Sequence, residues 1–201
     1  MWAWLSGLLW MALAYVLGSI SFAIIVSKLL ALQDPRSYGS QNPGATNMLR
    51  SGRKEAALFT LIGDALKGFI PVYLAARWGE LSLTALVWVA FAAFMGHLYP
   101  IFFHFKGGKG VATFLGAMLG LSSSVGLWVI VAWLLTAVVF RYASVASLMA
   151  SVVAFVLFAL HWGIGWALLP LSFMVFLMFY RHRSNLQKLK LGQEGKLFAP
   201  K

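Results

Sequence analysis

The chain turns polar at residues Gly39–Asn47, Gly-Ser-Gln-Asn-Pro-Gly-Ala-Thr-Asn, which separate two long apolar runs. This is the longest series of small, polar and turn-forming residues in the sequence, and Arg50 follows it closely. Gly, Asn and Pro favour tight turns, and the hydroxyl and amide side chains among them are hydrogen-bonding groups. The pattern predicts a compact loop between membrane-length helices, with N–H groups and side chains that converge on an anion.

The composition surrounding this loop is that of a membrane protein. Of the 201 residues, 61% are hydrophobic and only 10% are charged, whereas globular domains carry about 25% charged residues. We therefore expect an all-α integral membrane protein that forms a single domain over residues 1–201. The chain contains no Cys, which excludes disulfides, a thiol nucleophile and a Cys-ligated metal.

The apolar runs predict a bundle of about seven transmembrane helices. The stretch 111–140 is long for one helix and short for two, and small residues around Ser122–Ser124 interrupt it. Two short or tilted helices with a turn at these serines are favoured there, and a re-entrant pair is the alternative. The predicted spans are Trp2–Leu32, Glu55–Arg77, Leu81–Phe103, the two halves of Val111–Phe140, Tyr142–Leu160 and Trp166–Tyr180.

The distribution of basic residues along the sequence predicts the orientation of the chain in the membrane. All but two of the 16 Lys and Arg residues lie in segments 28–54, 104–110, 141 and 181–201; the exceptions are Lys67 and Arg77. Positive residues accumulate in cytoplasmic loops, so we expect the N-terminus outside, the C-terminus in the cytoplasm, and site loops 33–54, 104–110 and 181–201 on the cytoplasmic side. The net charge of +11 is explained by this bias and by an anionic substrate, without nucleic acid as a partner.

A second basic loop, Lys106-Gly107-Gly108-Lys109-Gly110, is also typical of an anion site. Its glycines let backbone approach a ligand, and a helix that starts at Val111 adds its dipole. The pattern is not a P-loop, because Val111 and Ala112 stand where a Ser or Thr would follow. The alternative interpretation is a positively charged cytoplasmic turn.

Other polar residues are fewer. His182 and Asn185 are three apart and share a helix face. Asp64 and Lys67, within a predicted span, have the same spacing and are expected to pair or to point into the bundle. The four His residues have neither a metal-ligand spacing nor an Asp five positions later, so we expect no metal, no cofactor and no carboxylate base.

In these motifs the chain resembles the bacterial membrane glycerol-3-phosphate acyltransferases that use acyl phosphate as donor, the PlsY family. The resemblance covers nearly the whole chain, although Gln41 stands where the family usually has Gly and Ser184 at a commonly acidic position. The residues that carry it are Gly18-Ser19, Asp34-Pro35-Arg36, Gly39–Asn47 with Leu49-Arg50, Asp64, Lys67-Gly68, Gly96-His97, Phe105–Thr113, Arg181-His182 and Asn185.

The resemblance implies transfer of a fatty acyl group from acyl phosphate to the 1-hydroxyl of sn-glycerol 3-phosphate, which gives 1-acylglycerol 3-phosphate and phosphate. This is the first acylation of phospholipid synthesis in the bacterial cytoplasmic (inner) membrane, and it implies a functional link to an acyl-phosphate-forming enzyme. The expected catalytic residues are Ser40, Arg50, Lys109, His182 and Asn185. The expected substrate-binding residues are Asn42, Gly44, Thr46, Asn47, Gly107, Gly108 and Gly110.

A division of work among these residues follows from the chemistry. Acyl phosphate already carries a good leaving group, so the enzyme must hold two anionic phosphates together and exclude water. We expect Arg50, Lys109 and His182 to hold phosphates, and Ser40 and Asn185 to orient glycerol phosphate. Thr46, Asn47 and the Gly107–Gly110 amides would serve the acyl phosphate or its oxyanion. With no base evident, the substrate's own phosphate would accept the hydroxyl proton, and the acyl chain would lie in a groove open to lipid.

Two other classes of function suit part of the pattern. A transporter of a phosphorylated anion would also combine basic loops with an apolar bundle, but the chain shows no internal repeat and few intramembrane charges. A membrane scaffold without enzymatic activity would tolerate replacement of Arg50 and Lys109.

Overall fold

A computed structural model of the chain describes residues 3–197 and is entirely helical over that range, with no strand. One short 3-10 helix, Ile101–Phe103, follows α5. The α-helices are α1 Ala3–Gly18, α2 Phe22–Leu29, α3 Ala45–Leu49, α4 Lys54–Trp78, α5 Leu83–Leu98, α6 Val111–Leu121, α7 Ser123–Phe140, α8 Ala143–Trp162, α9 Leu168–Arg181 and α10 Arg183–Lys190.

Five segments are long and apolar enough to cross a membrane, and two shorter apolar helices, α6 and α9, accompany them. Large apolar side chains such as Val139, 71% exposed, face outward from the bundle, as lipid-facing residues do. The all-helical membrane architecture is therefore confirmed for residues 3–197. The count of seven spans and the direction of the termini stay predictions.

The first predicted span, Trp2–Leu32, is confirmed as a membrane-length apolar segment at Trp4–Leu29, but it is not one continuous helix. Its residue Trp2 lies outside the described residues. The helix breaks after Gly18 and resumes at Phe22. At the break the Ser19 hydroxyl donates to the Tyr15 carbonyl at 2.8 Å, and the Lys67 ammonium donates to the Ile20 carbonyl at 2.6 Å. Backbone groups freed within a membrane require such partners, so Lys67 of α4 makes this break possible.

The stretch 111–140 forms two helices, as predicted. They meet at Ser122, whose hydroxyl accepts a hydrogen bond from the Val125 amide at 3.4 Å. The first of them, α6, has 11 residues and is about 16 Å long, which is too short for a hydrocarbon core of about 30 Å. The N-terminus of α6 directly follows the Lys106–Gly110 loop, so the short helix starts at the level of that loop.

Small residues hold α6 against α4. A Cβ at Gly116 would lie 2.0 Å from the Ala65 carbonyl oxygen, and one at Gly68 would lie 2.1 Å from that of Thr113. Such contacts permit the close backbone approach that packs helices in lipid. Because α4 follows the first site loop and α6 follows the second, this packing brings the two loops together at one end of the bundle.

Candidate active site

One cavity of about 580 Å³ opens at this end of the bundle, and residues from both predicted site loops and from the tail line it. Its polar part lies at the loops, and its apolar part runs down along α4, α6 and α7. The polar lining consists of Ser40, Asn42, Gly44, Thr46, Asn47, Arg50, Asp64, His97, Lys109, Gly110, Ser144, Ser147, His182, Asn185 and Glu194. The apolar lining includes Leu58, Leu61, Leu115, Leu119, Ile130, Trp133 and Leu134.

Asn47 organises the first loop. Its amide nitrogen donates to the carbonyls of Pro35 at 2.7 Å and Tyr38 at 3.2 Å, and its oxygen accepts from the Ser40 amide at 2.9 Å. The side chain is only 1% exposed. These hydrogen bonds give Asn47 a role in shaping the loop, and substrate binding by Asn47, which also lines the cavity, stays a prediction.

The loop backbone adopts left-handed conformations on both sides of Ser40. Gly39 has φ +59° and Gln41 has φ +56°. The Gln41 conformation is one that glycine adopts without strain, and it is the position where the resemblance expected Gly. Gln41 therefore keeps the loop geometry at a conformational cost.

Three groups of this loop are available to a ligand. Among residues 3–197, the hydroxyls of Ser40 and Thr46 and the guanidinium of Arg50 have no protein hydrogen-bond partner, and all three residues line the cavity. Asn42 and Gly44 line it beside them. An unpaired guanidinium with two hydroxyls offers the donors that a phosphate requires.

Two glycine amides of the second loop form hydrogen bonds within the protein. The Gly107 amide donates to the Leu98 carbonyl at 3.2 Å, and the Gly108 amide donates to the His97 carbonyl at 3.1 Å. A Cβ at Gly108 would lie 2.2 Å from His97 Nε2. Within the described residues neither glycine lines the cavity. Both glycines thus pack the loop against the end of α5, and substrate binding by Gly107 and Gly108 stays a prediction.

Lys109 and Gly110 do reach the cavity, together with the first residues of α6. Gly110 has φ +84° and precedes the helix directly. The unpaired N–H groups of the first helical turn are a favourable place for an anion. Of the predicted loop, Lys109 and the N-terminus of α6 are thus the parts that line the cavity.

The Lys109 ammonium is held by the tail of the chain. It donates to Asn185 Oδ1 at 2.5 Å, and Asn185 Nδ2 donates to Glu194 Oε1 at 2.7 Å. Ser144 Oγ donates to the same carboxylate oxygen at 2.9 Å. Burial lowers the pKa of Lys109 to about 8, with Glu194 opposing the decrease.

Sequence reasoning missed both Glu194 and Ser144. The available signal is that Glu194 is the one acidic residue in the otherwise basic tail 181–201. The two lie 50 positions apart, so no spacing rule connects them.

His182 is buried, and its Nδ1 lies 2.8 Å from the Met178 carbonyl oxygen. A carbonyl only accepts hydrogen bonds, so Nδ1 carries the proton and Nε2 is an acceptor. Burial and the nearby Lys109 charge lower the pKa of His182 to about 4, so the ring is neutral at pH 7. The structure places a neutral ring in the lining of the cavity, and the prediction that His182 holds a phosphate stays a prediction.

A buried polar cluster lies behind the second loop. Lys67 Nζ is 2.9 Å from Asp64 Oδ1, which confirms the predicted pair. His97 Nδ1 lies 3.7 Å from the same carboxylate oxygen and 3.2 Å from the Thr113 hydroxyl. The cluster connects α4, α5 and α6 beneath the loop. No group of three or more metal-ligating side chains occurs within residues 3–197.

The sequence of the chain matches a known protein family. A family model described as glycerol-3-phosphate acyltransferase matches residues 8–192. The chain is 52% identical over 190 residues to the glycerol-3-phosphate acyltransferase of Burkholderia multivorans (strain ATCC 17616 / 249), covering 92% of this chain and 88% of that one. It is 50% identical over 196 residues to that of Bordetella petrii (strain ATCC BAA-461 / DSM 12804 / CCUG 43448), covering 94% and 92%.

Two solved structures share the fold. Both are of PlsY (YgiH), an integral membrane glycerol 3-phosphate acyltransferase. The glycerol 3-phosphate form superposes with a TM-score of 0.89 at 39% identity and 96% coverage of both chains. The lysophosphatidic acid form superposes with a TM-score of 0.86 at 38% identity and 95% coverage of both.

Proposed function

The chain belongs to the glycerol-3-phosphate acyltransferase family, and from this we propose that it transfers a fatty acyl group from acyl phosphate to the 1-hydroxyl of sn-glycerol 3-phosphate. The products are 1-acylglycerol 3-phosphate and inorganic phosphate. It is an integral membrane acyltransferase of the PlsY fold. The choice of donor and the identity of the products are the parts that we propose.

One observation carries the proposal: a single cavity joins a cationic, hydrogen-bonding mouth to an apolar groove. Both substrates carry a phosphate and one carries a fatty chain, so the reacting centre must lie where the two surfaces meet. Leu58 and Leu134 line the groove and are 53% and 51% exposed at the surface of the bundle. An acyl chain can therefore enter sideways from the bilayer while its phosphate stays at the mouth.

The groups at the mouth divide between the two substrates. Arg50 and Lys109 hold the phosphates, because they are the cations that line the cavity. Ser40 and Asn185 orient the glycerol phosphate, and the neutral His182 adds an acceptor at Nε2 for a glycerol hydroxyl. Thr46 and Asn42 lie nearby to hydrogen-bond the acyl phosphate.

The acyl transfer itself needs little covalent help. The 1-hydroxyl oxygen attacks the carbonyl carbon of the mixed anhydride and forms the ester C–O bond. The bond from that carbon to the phosphate oxygen breaks, and inorganic phosphate leaves with the electron pair. Donors at the N-terminus of α6 stabilise the negative charge that develops on the carbonyl oxygen.

The hydroxyl proton passes to a substrate phosphate oxygen. A histidine with a pKa of about 4 is a weak base, so His182 orients the hydroxyl and does not hold the proton. Glu194 Oε1 already accepts hydrogen bonds from Asn185 and Ser144 and serves to position Asn185. Holding both phosphates at one mouth supplies most of the acceleration through proximity.

The orientation and cellular setting are part of the proposal. Basic residues cluster at the end of the bundle where the cavity opens, so this end faces the cytoplasm by the positive-inside rule. The enzyme is placed in the bacterial cytoplasmic membrane, where an acyl-phosphate-forming enzyme supplies its donor. The whole chain acts as a single acyltransferase domain.

The deciding experiment compares donors for purified protein in lipid. Palmitoyl phosphate and palmitoyl-CoA are offered separately with glycerol 3-phosphate, and lysophosphatidate is measured. We expect product from acyl phosphate only. Lys109→Ala should lose about a hundredfold or more in rate, since one preorganised donor contributes that much. Lys106→Ala is the matched control in the same loop, because Lys106 is exposed and does not line the cavity in the described structure.

Two outcomes would oppose the proposal. Product from the CoA donor would refute the assignment of acyl phosphate. Movement of glycerol 3-phosphate across sealed vesicles, without acylation by folded protein, would instead support a transporter.

A further inference from the structure

Arg181, the last residue of α9, binds two consecutive carbonyls of the second loop. Its Nη2 donates to Gly107 O at 2.7 Å and to Gly108 O at 2.8 Å, and its Nε donates to Gly108 O at 3.1 Å. The guanidinium carbon lies 5.6 Å from the centre of the Tyr99 ring. Among the described residues Arg181 does not line the cavity, so the proposed chemistry leaves its role open.

With the Arg181 contacts, every backbone polar group of Gly107 and Gly108 is hydrogen-bonded. Their amides already donate to the His97 and Leu98 carbonyls, so both the N–H and the C=O of each glycine residue have a partner. Glycine has the largest conformational freedom of any residue, and an unrestrained pair would sample many conformations. The residue that follows this fixed pair is Lys109, and α6 begins two positions later.

The positive charge of Arg181 also lowers the pKa of Lys109. Burial is the main cause of the lowered pKa of Lys109, and Arg181, Arg50 and Lys188 add to the decrease while Glu194 opposes it. Arg181 therefore affects Lys109 in two ways that substitutions can separate: through the backbone that precedes it and through its own positive charge.

We propose that Arg181 is a positioning residue for acyl transfer, which fixes the Gly107-Gly108 backbone and thereby places the Lys109 ammonium and the N-terminus of α6 against a substrate phosphate. The inference rests on the proposed function for the identity of the reaction, but its geometry holds for any phosphorylated ligand at this mouth. A planar guanidinium suits two adjacent carbonyls, whereas an ammonium has no such fork.

Two variants test the role. Arg181→Gln removes both the fork and the charge, and Arg181→Lys keeps the charge without the fork. We expect kcat/KM to fall about ten- to a hundredfold in both, as a misplacement of the order of 1 Å would produce. The alkaline limb of kcat/KM that reports deprotonation of Lys109 should move to higher pH in Arg181→Gln alone, because a lost positive charge raises the pKa of Lys109.

Arg183→Gln is the matched control. Arg183 also donates to a carbonyl, that of Tyr180 at 3.2 Å, and lies 4.4 Å over the Tyr180 ring, but it is exposed and away from the loop. The Arg183→Gln variant should keep the wild-type kcat/KM and the wild-type alkaline limb of its pH profile.

Calorimetric titration with glycerol 3-phosphate alone gives a second readout that does not depend on the donor. Weaker binding in both Arg181 variants, in protein that melts cooperatively, would support positioning. Wild-type kcat/KM in either variant, or an unmoved alkaline limb in folded Arg181→Gln, would overturn it. Wild-type protein that rejects acyl phosphate would instead refute the proposed donor, while the binding comparison would still decide the role of Arg181.

Discussion

Replacing Asn47 by alanine should open the first loop before it affects any substrate contact. The side chain makes three hydrogen bonds, to Pro35, Tyr38 and Ser40, and is 1% exposed. A buried hydrogen bond contributes about 1 kcal/mol net, so the three together stabilise the closed loop by about 3 kcal/mol. That corresponds to roughly a hundredfold in the local opening equilibrium.

Hydrogen exchange measures this opening directly. The Ser40 amide donates to Asn47 Oδ1, so its exchange in Asn47→Ala should accelerate by roughly a hundredfold while helix amides of α5 keep their protection. Activity should fall with it, since Ser40 and Arg50 line the cavity from the same loop. Peptides that cover residues 36–46, read by mass spectrometry, provide the measurement.

Thr46→Ala is the matched control. Thr46 lines the same cavity, and its hydroxyl has no protein partner among the described residues, so this variant should lose activity without a change in exchange. The reasoning would be refuted if Asn47→Ala kept wild-type exchange at Ser40 and only raised the KM of a substrate. That result would make Asn47 a direct ligand, as the sequence analysis first predicted.

Three further substitutions test other parts of the structure. Gly108→Ala should reduce kcat/KM at least tenfold in a steady-state assay, since its Cβ would lie 2.2 Å from His97 Nε2. Gly165→Ala is the control and should leave kcat/KM unchanged, because no atom lies within 4 Å of its added Cβ. Lys67→Met should destabilise the fold by about 3–5 kcal/mol in thermal unfolding in detergent, because it leaves the buried Asp64 carboxylate unpaired, and full stability of this variant would contradict the pairing. Gln41→Gly should raise the stability of the first loop by up to about 1 kcal/mol, and Gln41→Val should lower it, because φ at this position is +56°; unchanged exchange in both variants would refute the idea of strain.

Much of the architecture was predictable because its causes are local in the sequence. The length of an apolar run sets the helices, and Ser122 with its small neighbours interrupts the run 111–140 where two helices are observed. The pairing of Asp64 with Lys67 follows from a spacing of three on one helix. The break after Gly18 was not predicted, because the apolar run continues through it. It depends on a Lys67 contact with the Ile20 carbonyl, which is 47 positions away.

The same division applies to the site. Residue types and order alone indicated the two loops, and Ser40, Thr46, Arg50, Lys109, His182 and Asn185 all line one cavity. Glu194 was missed because its contact with Ser144 joins positions that are 50 apart.

The sequence by itself therefore determined that this is a helical membrane protein, and it determined which loops could hold anions, because hydropathy, charge and turn propensity are properties of single residues and their near neighbours. Only the tertiary structure decided which of those groups are free to act. The Gly107 and Gly108 amides and the Asn47 side chain are committed to protein partners that come from distant positions or a folded loop. His182 is neutral because burial beside Lys109 lowers its pKa. Hydrogen-bond competition and desolvation depend on what folding places around a group, and local sequence does not contain that information.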